Sequence, residues 1–222
     1  LAGGFYLRSG VRSPGGDWQG GILFDDWVRD RAAVENVDNR RTMVTTTDAL
    51  YFGSMGYRLI DSVFVPGVAW ENWDTALQMS MIDLEAFGFV ALTLWGTQAL
   101  FGRERPYVRH CPGFTEESCD PDSPERNRSF YAGHPAIAMT SAALTCSHHA
   151  HLPLYGGGAA DALACGVMLG AAAFTGFGRV VTEMHYASDT VIGMGVGAFP
   201  GFALPELLHY SRPKRSLPKT ST

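Results

Sequence analysis

Three long apolar segments constrain this chain more than any other feature of its sequence. They cover residues 86–102, 162–178 and 190–205, and each falls slightly short of the about twenty residues that a helix needs to cross a bilayer. The mean hydropathy of the whole chain is near zero, and the other helical candidates carry acidic residues, namely Asp61, Asp74, Asp83 and Glu85. We therefore expect a soluble bundle in which the apolar helices are buried, and a multi-spanning membrane protein is the alternative.

Apolar periodicity and helix-breaking residues predict an all-α fold, a helical bundle of about five to seven helices. Pro66 stops one helix, and Pro106 prevents an easy continuation of the next. Pro200 and Pro205 are expected to bend or shorten the last helix. The predicted helices cover residues 24–33, 45–64, 71–101, 133–149, 161–176 and 184–209. The third helix is expected to start at residue 71 or 72, the fourth at 133 or 134, and the sixth at 184 or 185.

The chain length of 222 residues suits one domain with a substantial core. Residues 1–43 are rich in Gly, Arg and Asp and are predicted to form an irregular arm. A helical domain at residues 44–211 and a disordered tail at 212–222 follow. Within the domain, the polar, proline-rich residues 106–128 read as a long loop, and a long loop in a compact domain is often functional.

Charge and cysteine content narrow the partners and the compartment. With a formal net charge of −5, the overall balance does not favour nucleic acid as a partner. The four cysteines allow three pairings, and they fall into a local pair, Cys111 and Cys119, and a longer-range pair, Cys146 and Cys165. Because no CxxC spacing is present, we expect disulfides rather than zinc, and hence a periplasmic or secreted protein. The first residue, Leu1, is consistent with a removed signal peptide or a trimmed chain.

Three short stretches contain the parts of a phosphate site: residues 98–106 (QALFGRERP), 129–134 (SFYAGH) and 178–189 (GRVVTEMHYASD). On a helix, His185 and Asp189 would stand on one face, so that the carboxylate could hold the imidazole by a ring N–H. A histidine oriented in this way is a credible nucleophile.

Positive charge and backbone donors come from the same stretches. Arg179 lies six residues before His185, and we expect Gly176 and Gly178 to form a turn that lets the arginine converge on the site. Gly133 suits a helix start, where free N–H groups favour an anion. Arg105 adds a planar fork suited to phosphate oxygens.

The order and spacing of these residues resemble the pattern K-x6-RP, PSGH, SR-x5-H-x3-D of a superfamily of metal-independent phosphatases. That superfamily includes the type-2 phosphatidic acid phosphatases (PAP2) and histidine acid phosphatases, and vanadium haloperoxidases share its framework with vanadate in place of phosphate. The third element is matched in spacing by Arg179, His185 and Asp189. The resemblance covers about residues 98–195, somewhat under half of the chain.

The resemblance implies a role for each matched residue. His185 would attack phosphorus and form a phosphohistidine, Asp189 would orient it, and His134 would protonate the leaving oxygen before water completes hydrolysis. The implied phosphate-binding residues are Arg105, Arg179, Gly133 and Gln98. The resemblance implies no metal and no other cofactor.

The chain departs from the pattern at four positions. Gln98 replaces the Lys, Tyr131 and Ala132 replace the Pro and Ser of PSGH, and Gly178 replaces the Ser before the arginine. Each lost contact to a charged group removes about 1.5–3 kcal/mol. Gln98 keeps an amide donor, and the candidates for a substitute ligand are Arg103, Arg109 and Tyr131.

The predicted function is therefore a phosphatase that acts on a phosphorylated small molecule or lipid, with phosphate or vanadate as an inhibitor or analogue. Apolar surroundings favour a lipid phosphate or isoprenoid diphosphate over a sugar phosphate. The alternatives are a phosphate-binding relative without turnover and a vanadate-dependent haloperoxidase. Three histidines at a helix end are expected to complement the helix dipole rather than to bind metal, namely His148, His149 and His151.

Overall fold

Helices make up nearly all of the regular structure in the computed structural model, which describes residues 18–111, 119–120 and 122–211. Asn36 and Asn72 cap two of the helices by accepting main-chain N–H groups at 2.9 and 3.1 Å, respectively. The described residues form six α-helices, namely α1 (Asp25–Ala32), α2 (Val37–Leu59), α3 (Trp73–Phe101), α4 (Gly133–His151), α5 (Ala159–Val181) and α6 (Ala187–Leu204). The all-α prediction is therefore confirmed.

Several helix boundaries differ from those predicted. α2 and α6 continue as π-helical segments, Ile60–Ala69 and Pro205–Tyr210, so their prolines widen the helix without ending it. α5 runs past residue 176 to Val181, and α6 begins only after an extended Tyr186. α1 and the start of α2 fall within residues 1–43, whereas residues 1–17 and the predicted tail lie outside the described residues.

α4 lies at the centre of the bundle and packs against α5 and α6. Its side chains are small and mostly buried, which allows the neighbouring backbones to approach closely. Three glycines on one face of α6 meet it: Gly193, Gly197 and Gly201. A methyl group on Gly193 would lie 2.5 Å from the carbonyl oxygen of Ala132. Small residues therefore allow α4 and α6 to pack closely from the start of α4 to Ala143.

Both expected cysteine pairs are bonded. Cys111 pairs with Cys119 in the connection between α3 and α4, and Cys146 pairs with Cys165 to join α4 to α5. Disulfides persist in oxidising compartments, so the pairs are consistent with an extracytoplasmic location.

A buried polar network occupies the opposite end of the bundle from the phosphate motifs. Arg58 binds Asp61 at 2.6 Å and Asp83 at 3.1 Å, and these carboxylates also accept from His149 and His148 at 3.0 and 3.1 Å. His148 and His149 lie in the last turn of α4, as predicted, but they do more than complement its dipole, because they face inward and pair with acids on other elements of the bundle. No group of metal-ligating side chains is arranged around a cation site in the described ranges.

Much of the bundle surface is apolar. α3, α5 and α6 with its extension have 29, 23 and 24 residues, and each is long and apolar enough to cross a membrane. Only 28–33% of their most apolar stretches is buried inside the protein. The expectation that these apolar segments are buried is wrong, because at most a third of each stretch is buried inside the protein.

Candidate active site

A cavity of about 150 Å³ lies where the end of α3, the start of α4 and the turn between α5 and α6 come together. Its wall combines two histidines, two arginines, one acid and several apolar or amide side chains. The lining residues are Tyr51, Leu94, Gln98, Arg105, Glu125, Arg128, Gly133, His134, Ile137 and His185. The structure thus brings five of the seven predicted site residues to one cavity, namely Gln98, Arg105, Gly133, His134 and His185.

His185 is held in the turn that follows α5. The turn reverses at Glu183, which has a left-handed backbone (φ 56°), and the amide of His185 donates to the Arg179 carbonyl at 3.2 Å. Its Nδ1 lies 2.8 Å from the carbonyl oxygen of Ser129. Because a carbonyl only accepts, Nδ1 carries the proton, and Nε2 is the nitrogen with a lone pair.

The surroundings of His185 favour the neutral imidazole. Its side chain is almost fully buried, and burial together with the positive charge of Arg105 lowers its pKa well below the ordinary value of 6.5. The hydrogen bond to Ser129 opposes this shift without cancelling it. Nε2 is therefore unprotonated at neutral pH.

Asp189 does not contact His185. It pairs with the guanidinium of Arg103 and accepts from the Ser129 hydroxyl at 2.5 Å and from the Tyr186 amide at 3.2 Å. The expected helical contact between Asp189 and His185 is therefore wrong, because α6 begins at Ala187 and leaves the histidine outside the helix. Asp189 instead caps α6 and anchors Ser129, whose carbonyl holds the histidine.

His134 lies in the first turn of α4, with its ring centroid 4.4 Å from that of Tyr51. Its Nε2 is 3.3 Å from a carboxylate oxygen of Asp48 on α2. Burial lowers the pKa of His134 to about 4, since the raising effect of Asp48 is offset by Arg179 and Arg105. Asp48 was not found by the sequence analysis, because nothing in its local pattern places it beside a residue 86 positions later.

Arg179 is buried at the end of α5 and pairs with Asp48, so this carboxylate links it to His134. The expected turn at Gly176 and Gly178 is wrong, because both glycines lie inside α5. A methyl group on Gly178 would overlap Thr47 of α2, so this glycine serves close packing. Arg179 reaches Asp48 because α5 packs across α2, and not because α5 breaks.

Both predicted phosphate-binding arginines keep one unused donor. The Nε atoms of Arg105 and Arg179 are buried and have no hydrogen-bond partner among the described residues. Buried polar groups are nearly always paired, so the unpaired Nε of Arg105, which lines the cavity, points to a missing acceptor there, whereas Arg179 is not among the lining residues. Gly133 begins α4 at the same cavity, where the first amides of a helix have no intrahelical partner.

The three candidates to replace the missing lysine lie elsewhere. Arg103 is fully buried between the rings of Trp18 and Tyr186. Arg109 is 3.9 Å from Asp26, and Tyr131 donates to a main-chain carbonyl of α3. None of the three lines the cavity.

Two charged residues of the cavity wall were missed at the sequence level. Glu125 and Arg128 come from the loop between α3 and α4, and they line the wall beside Arg105. The clustering of Arg126 and Arg128 is visible in the sequence, but such clusters are usually a solvated face. Only the fold shows that Arg128 is buried and turned toward the cavity.

Comparison with known families decides the relationship of the chain. The family model described as PAP2 superfamily matches residues 84–213, more than half of the sequence. This chain belongs to the PAP2 superfamily. Searches of curated proteins and of solved structures found no match. Members of the superfamily are usually phosphatases, which agrees with a cavity lined by histidine and arginine.

Proposed function

We propose that this PAP2 member is a metal-independent phosphatase that works through a phosphohistidine on His185. The observation that carries the proposal is the orientation and protonation of the His185 imidazole. Its Nδ1–H is fixed by Ser129 at 2.8 Å, and its Nε2 is unprotonated at a cavity lined by arginine. An oriented, neutral imidazole beside positive charge is suited to attack phosphorus.

In the proposed reaction, Nε2 of His185 forms a bond to phosphorus as the bond to the leaving oxygen breaks. His134 donates a proton to that oxygen, and the alcohol leaves. Water then attacks the phosphohistidine, with His134 accepting its proton, and phosphate and free His185 are released. The Ser129 carbonyl holds the imidazole through both steps because it binds the nitrogen that does not react.

Positive charge and main-chain donors stabilise the transferring group. Arg105 and Arg179 offer their unpaired Nε–H groups, and the amides that start α4 at Gly133 add donors without a charge. Asp48 positions both Arg179 and His134, so the acid and one phosphate ligand share an anchor.

The surface and cavity walls favour a lipid phosphate as the substrate class. Leu94, Ile137 and Tyr51 form an apolar side of the cavity, and α3, α5 and α6 present apolar faces of membrane-spanning length. We propose that these three helices cross a bilayer, with the site at the extracytoplasmic side where Cys111 and Cys119 are bonded, whereas the disulfide of Cys146 and Cys165 joins α4 to α5 further along the bundle. A lipid phosphate could then reach the cavity from the membrane surface.

The experiment is hydrolysis of phosphatidic acid and of p-nitrophenyl phosphate by the detergent-solubilised protein in the presence of EDTA. We expect phosphate release by the wild type and by His209→Ala, a control histidine that pairs with Glu85 outside the cavity. We expect none from His185→Ala. Equal rates for wild type and His185→Ala would contradict the proposal.

Two further outcomes distinguish the alternatives. Tight binding of phosphate without turnover would identify a binding protein that has lost catalysis. Bromide oxidation that depends on added vanadate would identify a haloperoxidase.

A further inference from the structure

The cavity wall includes a positively charged side chain, Arg128, that the phosphate motifs do not predict. Gln98 stands where the superfamily pattern has lysine, and it lines the same cavity as Arg105 and Arg128. We infer that Arg128 supplies the positive charge that Gln98 lacks, and that it binds the phosphate together with Arg105. This inference rests on the proposed function and names an additional ligand for its substrate.

One carboxylate shows that the two guanidinium groups converge. Glu125 accepts from Nη2 of Arg105 through one oxygen and from Nη1 of Arg128 through the other, both at 3.0 Å. A single oxyanion can therefore bridge the two arginines. Phosphate offers the same arrangement with more oxygens and a larger charge.

The three side chains differ in how firmly they are held. The side chains of Arg105 and Arg128 are only 10% and 9% exposed, whereas that of Glu125 is 46% exposed. Glu125 can therefore turn into solvent while both arginines stay in place. We infer that the carboxylate occupies the anion position only until phosphate displaces it.

The backbone fixes Arg128 close to the nucleophile. The amide of Arg105 donates to the Arg126 carbonyl at 2.7 Å, and the amide of Ser129 donates to the Arg103 carbonyl at 3.0 Å. These two bonds hold the residues that flank Arg128 against residues 103–105. The next residue, Ser129, is the one whose carbonyl holds His185. A phosphate bound by Arg128 thus lies beside the attacking nitrogen.

Arg126 offers a matched control. It lies in the same short helical turn as Glu125, but its guanidinium donates to the carbonyl of Cys119 at 3.2 Å, and it is absent from the cavity wall. Loss of Arg126 removes the same charge from the same turn without removing a proposed ligand.

The test measures binding of inorganic phosphate and of orthovanadate by titration calorimetry of the full chain in detergent. The variants are Arg128→Gln, Arg126→Gln, Glu125→Gln and the double variant Glu125→Gln/Arg128→Gln. We expect Glu125→Gln to bind more tightly than wild type, since a competing anion is removed. We expect Arg128→Gln to weaken binding about ten- to a hundredfold, the usual cost of one charged contact. Arg126→Gln should bind like wild type.

The double variant separates direct binding from mere neutralisation of Glu125. If Arg128 contacts phosphate, the double variant binds about ten- to a hundredfold more weakly than Glu125→Gln. If Arg128 only neutralises Glu125, the two bind equally, and the inference is overturned.

Rescue by lysine gives a second readout that a purely structural role would not produce. Gln98→Lys in the Arg128→Gln background restores the charge of the superfamily pattern, so we expect binding to recover. Failure of the wild type itself to bind either anion would overturn the proposed function along with this inference. Binding by wild type with no effect of Arg128 in the Glu125→Gln background would overturn this inference alone.

Discussion

The imidazole of His185 and the main-chain carbonyl of Ser129 are joined by a hydrogen bond of 2.8 Å, which decides which ring nitrogen can react. The carboxylate of Asp189 reaches the histidine indirectly, through the Ser129 hydroxyl, which it binds at 2.5 Å, and through the adjacent Tyr186 amide at 3.2 Å. The nucleophile is thus oriented by the backbone, and the acid stabilises the loop that provides it.

We expect Asp189→Asn to affect stability more than chemistry. The change removes one of two buried carboxylates that bind Arg103, the other being Asp25 at 2.8 Å, and breaking such a pair costs about 3–5 kcal/mol. Asp25→Asn breaks the other pair and should lower the melting temperature about as much as Asp189→Asn does. Ser129→Ala should keep most activity because the carbonyl remains.

The measurement is thermal unfolding of each variant in detergent, with turnover per folded protein determined below the transition. Loss of all turnover in Asp189→Asn without a change in melting temperature would show that the carboxylate acts on His185 itself.

The pH dependence of kcat/KM should differ from that of kcat. In the free enzyme burial holds the pKa of His134 at about 4, so its protonated form, which the proposed acid requires, declines as the pH rises above that value. Bound phosphate is negative and favours the protonated imidazole, which moves the decline in kcat to higher pH.

Both profiles are obtained from the initial rates of hydrolysis of one soluble phosphomonoester, measured between about pH 3 and about pH 9. Because Asp48 raises the pKa of His134, Asp48→Asn should shift the decline in kcat/KM further toward acid. Coincident profiles with a decline near the ordinary histidine pKa of 6.5 would contradict the proposed role of His134.

Close contact between α4 and α6 should make Gly197 intolerant of any side chain. A methyl group there would overlap the carbonyl of Ala136, and overpacking of this kind usually costs about 1–3 kcal/mol. Gly195 lies on the same helix with open space around it, so Gly195→Ala should be neutral or stabilising by up to about 1 kcal/mol.

Melting temperatures of the two variants in one detergent are sufficient for this comparison. Equal stability of Gly197→Ala and Gly195→Ala would mean that α4 and α6 are not packed as described.

The sequence predicted the helical bundle and much of the site because those features depend on local pattern. Apolar runs indicate helices. The spacing of Arg179 and His185 along the chain matches the motif whatever the conformation of the residues between them. The contact of Asp189 was wrong because it depends on where α6 begins, within two residues of the nucleophile. Asp48 and Arg128 were missed because their roles arise only from helix crossings and a loop that folds back.

The exposure of the apolar helices was underestimated for a related reason. The sequence shows how apolar a segment is, but only the fold shows which face it presents. Leu92 and Leu163, for example, are 68% and 66% exposed within segments that were expected to be buried. Exposed leucines such as these agree with the proposal that the three helices cross a bilayer.

The most direct test of the central claim is to trap the covalent intermediate. Wild-type protein is mixed with phosphatidic acid that carries the radiolabel in its phosphate group, and the reaction is quenched in alkali. The protein is then digested, and its peptides are sequenced by mass spectrometry. The account predicts one phosphohistidine, at His185, absent from His185→Ala and present in His209→Ala. Label on any other residue, or turnover by His185→Ala, would contradict it.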